Sequence, residues 1–362
     1  MKSMAVSHGY RSARDAYPAP SVPPQPTVSV VIPVYAEIGN IRRLASEVLS
    51  QDYPQIQQIL FVDGLSTDGT FEALGAIARN DSRVKVIRNP KKLPAPAVNL
   101  ALRHIASDVF IRLDAHGNYA PDVVSESVKS LLATDAGGVG AVASPLSAQT
   151  LVGRAIATAH TSKLGVGVAR FRQINAEGWV DSVWNGCYWM HVVKEVGPLN
   201  ETLWRAEDND FNERVRRAGF GLYLSPKIKA WYQPRQSFRA LWSQYFSNGT
   251  GIMLALSQNA RAVTLRHLVP FLFIVSLVLL SASSLLWHSM FQLFLGVLSL
   301  YLAALIGATV VAFLKTPGVH LLLLPSALLT LHFSYGLGSL YGALLLVRRA
   351  MFANKAAVES PS

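Results

Sequence analysis

Several absences narrow the class of protein before any motif is considered. The 362-residue chain has one cysteine, Cys187, so no intramolecular disulfide can form, which fits a reducing compartment. Its first residues contain no apolar run of the kind found in a secretory signal peptide, so we expect no cleaved leader. Neither G-x-G-x-x-G nor G-x-x-x-x-G-K-[ST] occurs, which disfavours a dinucleotide-binding domain and a P-loop.

Acidic side chains are missing from a long C-terminal stretch. No Asp or Glu occurs from Arg214 to Val358, where 13 Lys and Arg residues lie, whereas the remainder has 20 basic and 22 acidic residues. The net charge of +11 therefore comes from the stretch that also carries long apolar runs. Basic residues beside such runs are typical of a cytoplasmic membrane face with anionic headgroups, so we expect membrane lipids and no nucleic acid as partners.

Three uncharged runs in this stretch are long enough to cross a bilayer. They cover residues 268–287, 291–313 and 321–347. A hydrocarbon core of about 30 Å needs roughly 20 apolar residues, so we predict three transmembrane helices within residues 268–347. Residues 236–267 contain an apolar stripe at helical spacing, which predicts an amphipathic helix at the membrane surface or, alternatively, one packed on the preceding domain. Residues 348–362 are expected to form a basic tail.

The sequence pattern of the N-terminal part of the chain differs from that of the apolar C-terminal part. Residues 1–26 contain five prolines and few large apolar residues, which predicts a disordered leader. Short runs rich in β-branched residues then alternate with segments of helical periodicity. This alternation predicts an α/β domain over residues 27–235, with a mostly parallel sheet and helices on both of its faces.

Acidic residues follow three of the predicted strands, where ligands bind to such sheets. Glu37 comes shortly after the first strand, Asp63 ends the second and Asp114 follows the fourth. Asp114 and His116 are two residues apart, so their side chains share one side of an extended chain. A carboxylate with an imidazole suits Mg²⁺ or Mn²⁺ with open positions, which could hold the diphosphate of a sugar nucleotide. A strand-end Asp followed by a surface His is the alternative.

A second acidic cluster lies where a helix is expected to begin. Glu207 and Asp208 precede an apolar stripe that ends at Gly219. A carboxylate near a helix N-terminus stays ionised, which suits a general base that removes a proton from a sugar hydroxyl. Simple capping of the helix is the alternative interpretation of these two residues.

Four motifs together resemble the family 2 glycosyltransferases, which have the GT-A fold of nucleotide-diphospho-sugar transferases. The motifs are Ser29-Val-Val-Ile-Pro-Val-Tyr35, Asp63-Gly-Leu-Ser-Thr-Asp-Gly-Thr70, Arg112-Leu-Asp-Ala-His116, and Glu207-Asp208 with Arg214 downstream. They follow the order and spacing of the family over about residues 27–250. The Asp-Ala-His variant and the C-terminal spans look most similar to membrane-associated glycosyltransferases of bacterial succinoglycan-type exopolysaccharide synthesis.

The resemblance implies a role for each matching residue. The residues that would hold a UDP-sugar donor are Pro33, Tyr35, Glu37, Asp63 and Asp114. Asp114 and His116 would bind Mg²⁺ or Mn²⁺ at the D-x-D position of the family, where His116 replaces the usual second Asp. Asp208 would be the catalytic base, with Glu207 beside it. The residues that lie where acceptor loops of the family usually sit are Trp184, Asn185 and Gly186.

The family inverts the anomeric centre by direct displacement, and the Q-x-x-R-W signature of processive synthases is absent after Asp208. We therefore expect a non-processive, metal-dependent transferase that moves a hexose, glucose in the leading hypothesis, from UDP to a lipid-linked saccharide. The acceptor would be a polyprenyl-diphosphate saccharide at the cytoplasmic face of a bacterial inner membrane, with exopolysaccharide assembly proteins as candidate partners.

Two further hypotheses stay open at this point. A polyprenyl-phosphate sugar synthase would use the lipid phosphate itself as acceptor. A catalytically silent membrane scaffold could keep the fold, although the intact pairs Asp114/His116 and Glu207/Asp208 argue against it. Sugar nucleotidyltransferases are disfavoured because no glycine-rich basic loop follows the first predicted strand.

Overall fold

The protein consists of two compact units. The computed structural model describes residues 4–18, 22–167 and 169–358, with the backbone alone for residues 350 and 352–358. The first unit comprises Met1–Leu146 and Arg170–Gln233, and the second comprises Ser147–Ala169 and Pro234–Ser362. The α/β domain predicted from the sequence ends at residue 235, and the first unit ends at Gln233. Residues 147–169 were predicted as part of the α/β domain, but they belong to the second unit.

One sheet forms the core of the first unit. Its strands are β1 (Val28–Val34), β2 (Ile56–Asp63), β3 (Val84–Arg88), β4 (Val109–Arg112), β5 (Gly117–Tyr119), β6 (Gly138–Pro145), β7 (Gly178–Val180), β8 (Trp184–Trp189) and β9 (Leu222–Tyr232). Their order is β3-β2-β1-β4-β8-β6-β9-β5, and β7 pairs with β9. Strands β1 to β4 are parallel, as the sequence predicted. The other half is mixed, because β8 is antiparallel to both β4 and β6.

The helices of the first unit cover the sheet with small and branched apolar residues. They are α1 (Met4–Ser7), α2 (Ile41–Leu49), α3 (Thr70–Asn80), α4 (Pro94–Leu102), α5 (Val123–Thr134), α8 (Met190–Val196) and α9 (Glu207–Arg217). The position of these helices follows from the spacing of their apolar residues. Helix α2, for example, has four apolar residues at helical spacing that are all buried in the core: Ile41, Leu44, Ala45 and Val48. This packing holds the carboxyl ends of β1, β2 and β4 at one edge of the sheet.

Residues 4–18 differ from the disordered leader that the sequence predicted for residues 1–26. The backbone N–H of Arg11 donates to the carbonyl of Gly219 at 2.8 Å, and the Arg11 guanidinium pairs with Glu195. Ala5 and Ala13 are fully buried. The reason lies in the distribution of the prolines, which begin only at residue 18 and leave the earlier residues free to donate hydrogen bonds. Residues 1–3 and 19–21 of the predicted leader lie outside the described residues.

The second unit is helical in its described residues. Its helices are α6 (Leu151–Thr161), α7 (Lys163–Val166), α10 (Phe238–Gln258), α11 (Leu265–Ser284), α12 (His288–Lys315) and α13 (Leu324–Val358). Three segments are long and apolar enough to cross a membrane, Leu265–Ser284, His288–Lys315 and Val319–Arg349, which agrees with the three predicted runs. Helix α13 continues as one helix to Val358, so the described part of the predicted basic tail is a helical extension.

Helix α10 corresponds to the predicted amphipathic segment 236–267, and part of its apolar stripe is buried against another helix, whereas Trp242 of that stripe is exposed. The helix packs along α13, and Leu241 and Tyr245 are buried in a cluster with residues of that helix. The Thr250 hydroxyl donates to the Gly338 carbonyl at 3.0 Å, and a Cβ at Gly338 would lie 2.1 Å from the Phe246 carbonyl oxygen. Small residues thus allow close contact of the two backbones. A location at the membrane surface stays a prediction.

Candidate active site

A cleft at the carboxyl end of β4 brings together the two acidic clusters of the sequence. Asp114 lies just beyond β4, and Asp208 is the second residue of α9; both line this cleft together with Trp184 at the start of β8. The antiparallel pairing of β8 with β4, which aligns Ile111 with Cys187, brings Trp184 to the cleft. The cleft therefore joins residues that are about ninety positions apart in the chain.

Arg112, the last residue of β4, links the two clusters. Its Nη1 and Nη2 atoms each lie 3.2 Å from Oε1 of Glu207, and its Nε lies 3.6 Å from Oδ1 of Asp114. The Glu207 side chain is only 9% exposed, so this contact is largely shielded from water. Arg112 has no function predicted from the sequence alone. A basic residue that ends an otherwise apolar strand two positions before Asp114 was the signal that could have identified it.

Asp114 is held in place by side-chain and backbone contacts. Its Oδ2 accepts a hydrogen bond from the Trp184 indole N–H at 3.0 Å, and its backbone N–H donates to the Tyr119 hydroxyl at 2.7 Å. Burial pushes the pKa of Asp114 up, but the positive charge of Arg112 and the nearby His116 outweigh this, so the pKa lies below its ordinary value. Asp114 is therefore an ionised and well-oriented carboxylate.

The donors at Asp114 fit a divalent cation that is shared with a substrate. Asp114 supplies a carboxylate and His116 supplies an exposed imidazole close enough to lower the pKa of Asp114. Among the described residues, no group of three or more His, Cys, Asp or Glu side chains is placed to enclose a metal ion. A cation here would need further oxygen ligands, and the diphosphate of a nucleotide sugar and water can supply them.

Glu207 and Asp208 differ in their surroundings, although they are neighbours in the chain. Helix α9 begins at Glu207 after Ala206, which has a φ of +61° and offers no capping side chain. Glu207 turns toward Arg112, whereas Asp208 opens to the cleft and accepts the backbone N–H of Asn209 at 2.9 Å. Desolvation by the surrounding protein and the negative charge of Glu207 raise the pKa of Asp208 to about 6.

Four of the predicted donor-binding residues lie at or just after the ends of β1, which pairs with β4, and of β2, which pairs with the other side of β1. In the register of these strands, Pro33 pairs with Val62, and Val34 pairs with Asp63. Tyr35 is 57% exposed. A Cβ at Gly64 would lie 3.2 Å from the Tyr35 ring, so the glycine leaves room for that ring.

The two donor-side carboxylates are already engaged within their own loops. Glu37 accepts the Asn40 side-chain amide at 2.7 Å, and the fully buried Asp63 accepts the Ser66 backbone N–H at 3.1 Å. Both residues therefore shape the loops that follow the strands. Their contact with a nucleotide stays a prediction.

The predicted acceptor residues form the first half of β8. Trp184 is fixed by its hydrogen bond to Asp114 and by an edge-on contact with the Tyr232 ring, whose centroid is 6.2 Å away. Asn185 is buried in the cleft, and a Cβ at Gly186 would lie 2.3 Å from the Tyr188 ring. The cleft thus contains all three of these residues beside Asp114 and Asp208.

Comparisons with known proteins identify the family of this chain. Residues 29–161 match the family described as Glycosyl transferase family 2. The chain is 31% identical over 243 residues to the succinoglycan biosynthesis protein ExoA of Rhizobium meliloti (strain 1021), a match that covers 67% of this chain and 73% of that protein. It is 24% identical over 320 residues to the dolichyl N-acetyl-alpha-D-glucosaminyl phosphate 3-beta-D-2,3-diacetamido-2,3-dideoxy-beta-D-glucuronosyltransferase of Methanococcus voltae, a match that covers 85% of this chain and 95% of that protein.

Among solved structures, the mannosyltransferase PcManGT from Pyrobaculum calidifontis, in complex with GDP-Man and Mn²⁺, is similar with a TM-score of 0.58. The match covers 92% of this chain and 94% of that chain at 18% sequence identity, so it shows the fold alone. This likeness agrees with the predicted GT-A fold. The similarity to ExoA over most of both chains and the match to the family model show that the protein belongs to glycosyltransferase family 2.

Proposed function

We propose that this protein is a non-processive, inverting hexosyltransferase that moves one sugar, most simply glucose, from a UDP-sugar to a hydroxyl group of a lipid-linked saccharide. The observation that carries the proposal is the arrangement of two carboxylates in one cleft. Asp114 has a lowered pKa, and Asp208 has a pKa raised to about 6. Two carboxylates with opposite shifts suit different roles, one as a permanent anion and one as a proton acceptor.

Asp208 is the proposed general base. As the acceptor hydroxyl oxygen bonds to the anomeric carbon, the bond from that carbon to the diphosphate oxygen breaks, UDP leaves, and the hydroxyl proton passes to Asp208. A base with a pKa near 6 is ionised at neutral pH and is still basic enough to accept this proton. Attack from the side opposite the leaving group inverts the anomeric centre.

Asp114 and His116 are the proposed ligands for Mg²⁺ or Mn²⁺, which would neutralise negative charge on the departing diphosphate. Pro33, Tyr35, Glu37 and Asp63 would contact the uridine, because they lie at the ends of β1 and β2, the two strands that follow β4 in the sheet. The Trp184 ring would pack against a sugar, since its indole N–H is held by Asp114 and its ring borders the cleft.

A lipid phosphate is a less suitable acceptor for this cleft than a hydroxyl. A phosphate oxygen is already ionised at neutral pH and needs no base, so a polyprenyl-phosphate synthase would give Asp208, which lines the cleft, no proton to accept. The relative from Methanococcus voltae, whose name specifies a dolichyl-linked sugar phosphate, supports a saccharide acceptor on a lipid. A silent scaffold is disfavoured by the same pair of carboxylates.

The second unit would anchor the enzyme in the bacterial inner membrane, with the first unit in the cytoplasm, where nucleotide sugars are made. Its three long apolar helices and the absence of acidic residues from Arg214 to Val358 support this placement. The similarity to ExoA supports a role in exopolysaccharide synthesis, in which assembly proteins would be partners.

The direct test is transfer from a panel of radiolabelled nucleotide sugars into lipid extract by washed membranes that contain the protein. We expect label from a UDP-hexose to enter the lipid fraction in a form that mild acid releases as an oligosaccharide. Asp208→Asn should reduce transfer by roughly 10²- to 10⁴-fold, the usual contribution of one positioned base. Glu72→Gln, which changes an exposed first-turn carboxylate of α3, is the matched control and should transfer normally. Release of the label as a monosaccharide would identify a polyprenyl-phosphate synthase instead.

A further inference from the structure

A short turn carries the two proposed cation ligands, Asp114 and His116. The Asp114 carbonyl accepts the Gly117 backbone N–H at 3.0 Å, which closes the turn over residues 114–117. The chain then joins the sheet through β5, which is three residues long and pairs only with the end of β9. So short a strand offers few ladder hydrogen bonds, and other contacts must therefore hold the turn in place.

The Tyr119 hydroxyl is the main contact that holds this turn. Its oxygen accepts the Asp114 backbone N–H at 2.7 Å, and its proton is donated to the Asp114 carbonyl at 2.8 Å. The side chain of Asn185, at the start of β8, interacts with the same hydroxyl. Tyr119 is only 4% exposed, so water does not compete for these hydrogen bonds. One hydroxyl thus pairs with both backbone polar groups of a proposed cation ligand, using its donor and an acceptor lone pair.

Gly117 leaves the space that the Tyr119 hydroxyl occupies. A Cβ at Gly117 would lie 2.2 Å from the hydroxyl oxygen of Tyr119. The φ of Gly117 lies outside the left-handed region, so the backbone of the turn would accept another residue. The glycine is therefore explained by the close approach of the hydroxyl and not by the conformation of the chain.

Helix α2 holds the same segment from its other side. Oε2 of Glu47 accepts the Tyr119 backbone N–H at 3.0 Å, and Nη2 of Arg43 donates to the Gly117 carbonyl at 3.0 Å. Arg43 and Glu47 pair with each other at 2.8 Å, so the two groups form one clasp on β5. Because α2 begins shortly after Glu37, it ties the turn to the loop that contains a proposed uridine contact.

We infer that Tyr119 is a positioning residue for the divalent cation, because its hydroxyl fixes the backbone that directs the Asp114 carboxylate and the His116 imidazole. This inference rests on the proposed function, which assigns the cation to these two side chains. Tyr119 acts through the Asp114 backbone and needs no contact of its own with cation or substrate. Groups that orient metal ligands commonly account for a factor of about 10 to 100 in metal affinity.

Tyr119→Phe removes the hydroxyl and keeps the ring that packs in the core. Tyr53→Phe is the matched control, because the Tyr53 hydroxyl is also buried and donates to a backbone carbonyl, that of Pro26, at 2.7 Å, outside the residues that line the cleft. Glu47→Gln is the second variant. Its amide keeps an oxygen for the Tyr119 N–H but no charge for Arg43, so it loosens the clasp without touching the hydroxyl.

The full chain, purified in detergent, is titrated with MnCl₂ with and without UDP, and free Mn²⁺ is measured by its EPR signal. Transfer from UDP-hexose to lipid extract is measured over the same Mn²⁺ concentrations. For Tyr119→Phe we expect Mn²⁺ affinity in the presence of UDP to fall by roughly 10- to 100-fold, and the Mn²⁺ concentration for half-maximal transfer to rise by the same factor. At saturating Mn²⁺ the variant should recover most of its kcat, because Asp114 and His116 are both retained. Glu47→Gln should shift the affinity in the same direction by a smaller factor, and Tyr53→Phe should not shift it.

Equal Mn²⁺ affinity in Tyr119→Phe and the unmodified protein would overturn the inference. If Tyr119→Phe does not fold, equal affinity in Glu47→Gln would overturn it in the same way. An equal loss of affinity in Tyr53→Phe would mean that any lost buried hydrogen bond loosens the site, and a kcat that stays low at saturating Mn²⁺ would make the role of the hydroxyl structural.

The same titration separates this inference from the proposed function. An unmodified protein that binds no Mn²⁺ in the presence of UDP would contradict the proposed cation site and, with it, the inference. The expected difference in Mn²⁺ affinity between the unmodified protein and Tyr119→Phe, without transfer to lipid extract by either, would support the inference and contradict the proposed acceptor alone.

Discussion

Replacement of Glu207 by Gln offers a sharp test of the arrangement around Asp208. The Glu207 carboxylate lies 3.2 Å from two nitrogens of Arg112, and its negative charge is one of the causes that raise the pKa of Asp208 to about 6. The glutamine side chain of the variant keeps an oxygen for Arg112 but carries no charge. The substitution also leaves the Arg112 charge free to act on Asp208. Both consequences lower the pKa of Asp208, toward its ordinary value of 3.8.

The size of the effect follows from the ionised fraction of the base. Because the base must be ionised, activity rises with pH through the pKa of Asp208 and is lost as pH falls below it. At pH 5, a base with a pKa near 6 is about one-tenth ionised, whereas one with a pKa near 3.8 is more than nine-tenths ionised. Relative to its own plateau, Glu207→Gln should therefore retain up to about tenfold more activity at pH 5.

The measurement is kcat/KM for transfer between about pH 4.5 and 8, normalised to the plateau of each protein. Glu72→Gln serves as the control, because it removes an exposed carboxylate from the first turn of another helix. All proteins are assayed at the same concentrations of divalent metal and donor, so that any influence of a bound cation on Asp208 is common to them.

Two outcomes would refute the reasoning about Asp208. An acidic limb that stays in place or moves to higher pH in Glu207→Gln would show that Glu207 does not raise the pKa of the base. Loss of the whole plateau in Glu207→Gln, with near-normal turnover in Asp208→Asn, would identify Glu207 as the base.

Three further predictions concern metal binding and stability. Asp114→Ala should abolish transfer, and His116→Asp should keep part of it with an altered preference between Mg²⁺ and Mn²⁺; full activity in excess chelator would contradict both. Arg214→Ala should lower the unfolding free energy by about 3 kcal/mol in urea denaturation, because Arg214 pairs with the buried Asp210 and donates to three backbone carbonyls at and just beyond the end of α8. Arg217→Ala, at an exposed residue, should cost less than about 0.5 kcal/mol. Gly338→Ala should lower the thermal midpoint in detergent, because the added Cβ would meet a backbone oxygen of α10. Gly307→Ala on α12 is the control and should leave the midpoint unchanged, because nothing lies within 4 Å of its added Cβ. Equal midpoints for the two variants would contradict the packing of α10 on α13.

The parts of the fold that follow from local pattern were predictable from the sequence. The parallel strands β1 to β4 and the three long apolar helices are continuous runs of one character, and each run is long enough to identify its element. Asp114 and Asp208 were found because each carries a local signal, a strand end or a helix start. The strand β8 gave no such signal, because its polar and glycine residues form a bulge that only the neighbouring strands explain.

Other features depend on pairings between distant segments, which composition does not reveal. Residues 147–169 have no run long enough to be recognised as part of the helical unit, yet α6 and α7 pack against α13. The contact of Arg112 with Glu207 joins residues 95 positions apart and depends on where α9 begins. The sequence could therefore name five residues that line the cleft, but not the ion pair between Arg112 and Glu207. The five are Asp114, Trp184, Asn185, Gly186 and Asp208.

That ion pair explains how one cleft can hold two carboxylates of opposite character. Arg112 forms ion pairs with Asp114 and Glu207, and no ion pair is recorded for Asp208 among the described residues. Asp114, which pairs with the guanidinium, has a lowered pKa, and Asp208, which accepts a backbone N–H instead, has a raised one. A single arginine thus keeps Asp114 anionic, as the proposed role beside a cation and a diphosphate requires, and it pairs with Glu207 while the pKa of Asp208, the proposed base, stays raised. If this division is correct, Arg112→Gln should raise both pKa values, so that metal affinity falls and the acidic limb of kcat/KM moves to higher pH, opposite in sign to the shift in Glu207→Gln.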